Sequence, residues 1–182
     1  MSTPQGWGSI LDAGEKIIWQ GRPDGKITLR ARNILMLIFG LFFAGFALFW
    51  MVMAYSAGGG FWMFGLIHFS VGIGIISSAT FWGAFKRRRS WYTLTDRRAI
   101  IASDLPIIGK RLKSWPITSQ SVLELEQGPP DTVNFAEKIK RGKNGSYTVS
   151  IGFERIENGQ DVYRLMRDVQ ANVTARQNLS RT

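Results

Sequence analysis

The chain has 182 residues, with 23 Lys and Arg against 13 Asp and Glu and a formal net charge of +10. It has no Cys and one His, which excludes disulfides, thiolate metal sites, cysteine nucleophiles and a two-histidine metal site within one chain. The cation surplus favours a polyanionic partner, which means nucleic acid, phosphates or an anionic membrane surface.

The charges are unevenly placed. Residues 1–33 hold five basic and three acidic groups, residues 34–85 hold none, and residues 86–182 hold eighteen basic and ten acidic. The 52-residue stretch without a formal charge divides at Ser56-Ala57-Gly58-Gly59-Gly60. The apolar runs on either side, Ile34–Tyr55 and Phe61–Phe85, would reach roughly 33 and 37 Å as helices, enough for a hydrocarbon core of about 30 Å. Trp50, Tyr55 and Trp62 lie near one end and Trp82 near the other, as an aromatic belt requires. Buried core helices of a soluble protein rarely run this long without charge. A secretory signal is not expected, because the apolar segment starts late, is long and lacks a clear cleavage site.

Lys26, Arg30 and Arg32 precede the first span, Lys86-Arg87-Arg88-Arg89 follow the second, and the loop between has no charge. By the positive-inside rule both termini are cytoplasmic and the glycine loop is external. The expected organisation is a cytoplasmic segment 1–33, transmembrane helices 34–55 and 61–85 joined by an external loop 56–60, a cytoplasmic domain 86–173, and a flexible tail 174–182. Within the spans, Gly40 and Ala44 are four apart, and Ser70, Gly74 and Ser78 repeat the spacing. Such series let helix backbones approach closely. Packing of the two spans on each other is the expected use, and homo-oligomerisation the alternative. His68 has Gly65 and Gly72 at i−3 and i+4, leaving room for something flat such as a haem or chlorin. One histidine without an accompanying pattern reads rather as a neutral side chain, and no cofactor is expected.

Beyond Arg89 the hydrophobic period changes to that of strands. Trp91–Thr95 and Arg97–Ser103 read as a hairpin about a polar turn. Lys110–Trp115, Val122–Glu126, Thr132–Glu137 and Ser146–Phe153 are further strand candidates. Lys138 to Gly145 reads as a basic loop with an Asn-Gly turn signal. Asn158 can act as N-cap, with Asp161 in the first turn. Val162, Leu165, Met166, Val169 and Val173 then form one apolar stripe of a helix over 158–173. The expectation is an α+β membrane protein in which a bent sheet or partial barrel is stoppered by that helix.

Gly14-Glu15-Lys16-Ile17-Ile18-Trp19-Gln20-Gly21-Arg22-Pro23 comes before the hairpin, and Tyr92-Thr93-Leu94-Thr95-Asp96-Arg97-Arg98 directly after it. In this order the two stretches resemble the bacterial pleckstrin-homology-like (PH-like) membrane proteins, over Gly14 to about Gln170. The resemblance implies a PH-like barrel with a C-terminal helix. One related branch is implicated in assembling photosynthetic complexes, which suggests a scaffold or assembly-factor role. The residues themselves add that 15–20 supplies a strand with Trp19 in the core, and that Thr95 and Asp96 cap their turn. Arg97 or Arg98 then pairs with Asp96 or points toward the membrane.

The sequence thus reads as a non-enzymatic interaction module at the cytoplasmic face of a bacterial inner membrane. Lys86, Arg87, Arg88, Arg89, Arg97, Arg98, Lys110, Arg111 and Lys113 are expected to meet anionic lipid head groups, and another membrane protein or complex is the expected partner. Anionic-lipid binding by the module alone is the alternative. No nucleophile elbow or phosphate loop supports an enzyme. Limited basic–aromatic interleaving, at Trp91 and Trp115, argues against nucleic acid.

Overall fold

The structure is a computed structural model that describes residues 10–29, 31–106, 108–142 and 145–179. The chain divides into two compact units, Gly25–Lys86 and the combination of Met1–Asp24 with Arg87–Thr182.

The first unit is a helical hairpin. Helix α1 (Ala31–Ser56) is followed by a 3-10 turn, Phe61–Phe64, that leads into α2 (Gly65–Arg88). Gly58 and Gly59 both have φ of 83°, a left-handed conformation that glycine adopts without a Cβ clash, and the reversal is built there. The two helices touch through small residues. Ala44 and Ala47 on α1 and Ala79 on α2 are buried. A methyl group at Gly72 would lie 2.9 Å from Ala44 Cα, and one at Gly40 would lie 3.2 Å from the Ile76 nitrogen. Asn33 Nδ2 closes the seam by donating to Ala79 O at 3.0 Å. Large side chains point outward, with Phe42 75% and Leu35 72% exposed. Both helices are long and apolar enough to cross a membrane.

The second unit is built on two antiparallel sheets. Strands β1 (Ile17–Gly21), β2 (Ser90–Thr95), β3 (Arg98–Leu105) and β4 (Gly109–Pro116) form one in the order β1-β2-β3-β4. Strands β5 (Glu124–Glu126), β6 (Asp131–Gly142) and β7 (Gly145–Ile156) form the other. Helix α3 (Gly159–Leu179) packs on β5 and β6. Its first hydrogen bond runs from Val162 N–H to Asn158 O at 3.2 Å, so Asn158 occupies the N-cap position. Val162, Met166 and Val169 of its stripe enter the core beside Leu94, Phe135 and Phe153. Trp19 is half-buried against Phe153, ring centroids 5.4 Å apart.

Two expectations are corrected. Lys138–Gly142 is the outer half of β6 rather than a loop, because Lys138 to Gly142 pair in register with Val149 to Gly145; Lys143 and Asn144 lie outside the described residues. Helix α3 continues to Leu179, past its expected end at Val173, and residues 180–182 of the expected tail lie outside the described residues. The strand expected over 15–20 is present as β1 and pairs with β2. The strands are arranged as a four-stranded and a three-stranded antiparallel sheet.

Candidate functional site

The first sheet has two chemically different ends. Gly21 pairs with Tyr92, Ser90 with Ser103, and Asp104 with Lys110. The chain therefore leaves β1 and returns to β2 at one end, beside the β3–β4 turn. A latch holds this exit end. Arg87 Nε donates to Asp24 O at 2.9 Å, and Asp24 N–H donates to Arg155 O at 2.7 Å. Arg155 Nη2 returns to Asp24 Oδ2 at 2.9 Å. Arg155 adopts φ of 53°, a left-handed backbone that non-glycine residues rarely hold, so the surrounding contacts fix it. Asp104 N–H donates to Arg89 O at 2.9 Å, and the Arg22 guanidinium stands 4.9 Å over the Trp91 ring.

Of the cations expected at a membrane surface, Arg87, Arg88, Arg89, Lys110 and Arg111 gather at this end. Arg87 is buried at 8% exposure by the latch, whereas Arg88, Arg89, Lys110 and Arg111 are exposed. Lys113 is exposed but pairs with Ile101, further along the sheet. Lys86 is exposed in the last turns of α2. Ile108 and Leu112 add exposed apolar surface to the β3–β4 hairpin.

Arg97 and Arg98 occupy the other end. The β2–β3 turn locks onto the segment before β1. Arg98 makes a two-pronged pair with Glu15, Nε to Oε1 at 2.9 Å and Nη2 to Oε2 at 2.7 Å. Thr95 Oγ1 donates to Glu15 Oε1 at 2.7 Å and accepts from the Arg98 N–H at 3.0 Å. Asp96 Oδ1 accepts the Lys16 N–H at 3.0 Å. The Glu15 side chain has no exposed surface. Burial pushes its carboxyl up, but the Arg98 hydrogen bonds, with those from the Asp12 backbone and Thr95, outweigh it and hold the pKa at about 2. Its partner Arg98 is shifted up by the hydrogen bond to Glu15. The two sequence stretches behind the family resemblance thus meet as one polar clamp. Arg98 is spent on Glu15 rather than on Asp96 or a head group. Arg97 reaches back to Ala13 O at 3.5 Å.

Inside the hairpin unit the small-residue expectation is half corrected. Gly40 and Ala44 do form the seam. Ser70, Gly74 and Ser78 do not: Ser70 and Ser78 are exposed, Gly74 has no neighbour within 4 Å of an added methyl, and Ser78 Oγ bonds Ile75 O at 2.9 Å. The seam on α2 uses Gly65, Gly72 and Ala79, seven residues apart, the repeat that keeps one face toward a partner. Gly65 packs on Met51 and Gly72 on Ala44, so neither leaves a flat space beside His68. His68 is exposed between Phe43 and Phe64, centroids 6.2 and 5.3 Å away, with Nδ1 3.4 Å from Phe64 O. Among the described residues no group of three or more His, Cys, Asp or Glu lies close enough to hold a metal ion.

Sequence reasoning missed Asp24 and Arg155, which lie 131 residues apart and carry no local signal. It could have found Gly65-Gly72-Ala79 from its seven-residue repeat. Comparison with protein-family models, with curated proteins and with solved structures finds no match to this chain.

Proposed function

We propose that the chain is a membrane-anchored, non-enzymatic interaction module of the bacterial inner membrane. In this reading the apolar hairpin crosses the bilayer twice with both termini cytoplasmic. It anchors a PH-like sheet unit at the cytoplasmic leaflet, where that unit is a scaffold, assembly factor or accessory subunit of a membrane complex. The order of four antiparallel strands, three more, and a C-terminal helix over a shared core supports the PH-like reading.

One observation carries the proposal. The apolar hairpin is inserted between two strands that pair directly, and the exit they share is lined by exposed cations. The same leaflet that anchors the chain would then meet Arg88, Arg89, Lys110 and Arg111. Exposed juxtamembrane cations contribute about 1 kcal/mol each near an anionic leaflet. A tethered unit also works at high local concentration, so weak contacts suffice.

The test is to extract the full chain from native membranes in mild detergent and identify what accompanies it in fixed ratio. One large membrane complex is the expected companion. A lone protein carrying tightly held anionic lipid would favour the second reading, a lipid-binding module acting alone. Release from membranes by alkaline washing without detergent would contradict both.

A further inference from the structure

We propose that the outer half of the β6–β7 hairpin is a membrane-docking arm that lays cations and apolar side chains on an anionic lipid surface; this rests on the membrane-anchored reading above. Phe135 and Phe153 are the last fully buried side chains on the two strands toward the tip, and Ala136 and Ile151 pack half-buried against the core just beyond them. Beyond them Glu137 to Gly142 and Gly145 to Thr148 are exposed on both faces. The register stays regular from Ala136–Ile151 to Gly142–Gly145. A two-stranded ribbon in water is marginally stable, and among the described residues Glu137 to Gly142 and Gly145 to Thr148 bury nothing in the sheet unit that would explain its length.

Its chemistry selects the partner. Residues paired across an antiparallel ladder share a face. Lys138, Lys140 and Tyr147 therefore lie on one side, and Ile139, Arg141 and Thr148 on the other. No acidic residue occurs between Lys138 and Phe153. Ile139 is 71% exposed and Tyr147 55%. One face thus offers two cations beside Tyr147, and the other offers Arg141 beside Ile139. A protein groove would select a single apolar face, and single-stranded nucleic acid would select a row of rings. The boundary between charged head groups and hydrocarbon accepts both faces, because Lys and Arg keep their stems in apolar surroundings while their charges stay wet, and tyrosine does likewise.

Reach is sufficient. The foot of the arm is fixed to the exit end by Arg155 on β7 and Asp24. Twelve residues of β6 extend about 40 Å, so every part of the arm lies within that distance of the exit.

The absence of native cysteine permits a direct test with the full chain. Thr148→Cys, on the face of Ile139, is labelled with an environment-sensitive dye and placed in nanodiscs of phosphatidylcholine alone or mixed equally with phosphatidylglycerol. Phe46→Cys, an outward position on α1, reports separately on the spans. The expected result is a label at 148 shielded from iodide in the anionic discs and open in the neutral ones. The Lys138→Gln, Lys140→Gln, Arg141→Gln variant should lower the docked-to-undocked ratio by roughly 100-fold. Ile139→Asn, which leaves every charge in place, should also reduce shielding. A label at 148 that is equally open in both discs while that at 46 is shielded would overturn the arm and leave the spans standing. Both labels open would overturn both readings. Shielding that appears only on adding RNA or an acidic protein would overturn the lipid assignment.

Discussion

The two units obey opposite rules. In the helical hairpin, glycine and alanine are inside and phenylalanine and leucine outside. In the sheet unit Leu94, Phe135, Phe153 and Met166 are inside, while lysine and arginine cover the strands that leave the core. The difference is the one that the membrane-anchored reading proposed above expects. Water rewards burial of large apolar area. A bilayer gives no such reward, so helices approach through small residues and backbone contact. On that reading, one chain carries both patterns because it meets two solvents.

The largest effect that can break this comparison is a charge on the outside of the hairpin. Phe42→Arg should cost about 3 kcal/mol of membrane insertion, read as loss of membrane-integrated protein. In a soluble helix pair the same change at a 75% exposed position would be neutral or would raise solubility.

Next is the clamp of the sheet unit. Glu15 has its pKa held at about 2, below the usual carboxylate value, so it adds stability above about pH 4.5 that is lost as pH falls toward 2. With Arg98 partly exposed, that contribution is about 2 kcal/mol. Glu15→Gln should lower the stability of the sheet unit by this amount at neutral pH and flatten its acid dependence over that window. Denaturation followed by tryptophan fluorescence checks both. An unchanged acid profile would show that the pair adds nothing.

A subtler test sets two glycines of one helix against each other. Gly72→Leu drives a side chain into the Ala44 backbone and should destabilise the hairpin by about 1–3 kcal/mol. Gly74→Leu meets open space and should leave it unchanged. Detergent-titrated unfolding separates the two, and equal effects would mean that the seam is wrongly assigned.

How much of this is legible in the sequence depends on how local each signal is. The hairpin is visible because 52 consecutive residues lack charge, and α3 because its stripe repeats within one element. The outer half of β6 is hidden because Lys138-Ile139-Lys140-Arg141 has the composition of a loop, and only pairing with β7 makes it a strand. Small residues four apart occur on both the inner and outer faces of the helices. Spacing alone therefore cannot distinguish Ser70-Gly74-Ser78 from the seam, which is chosen by what the other helix presents. The clamp is half legible: the capping of the turn by Thr95 is local, but the Glu15 that takes Arg98 stands 83 residues away, across the hairpin.

The most direct measurement uses two single cysteines in intact spheroplasts and a maleimide that cannot cross membranes. Ala57→Cys, in the loop between the helices, should react from outside, while Ser146→Cys, on the arm of the sheet unit, should react only after lysis. Reaction of Ser146→Cys in intact cells, or recovery of the chain in the soluble fraction without detergent, would contradict a bilayer-spanning hairpin that carries its β-structure on the inner side.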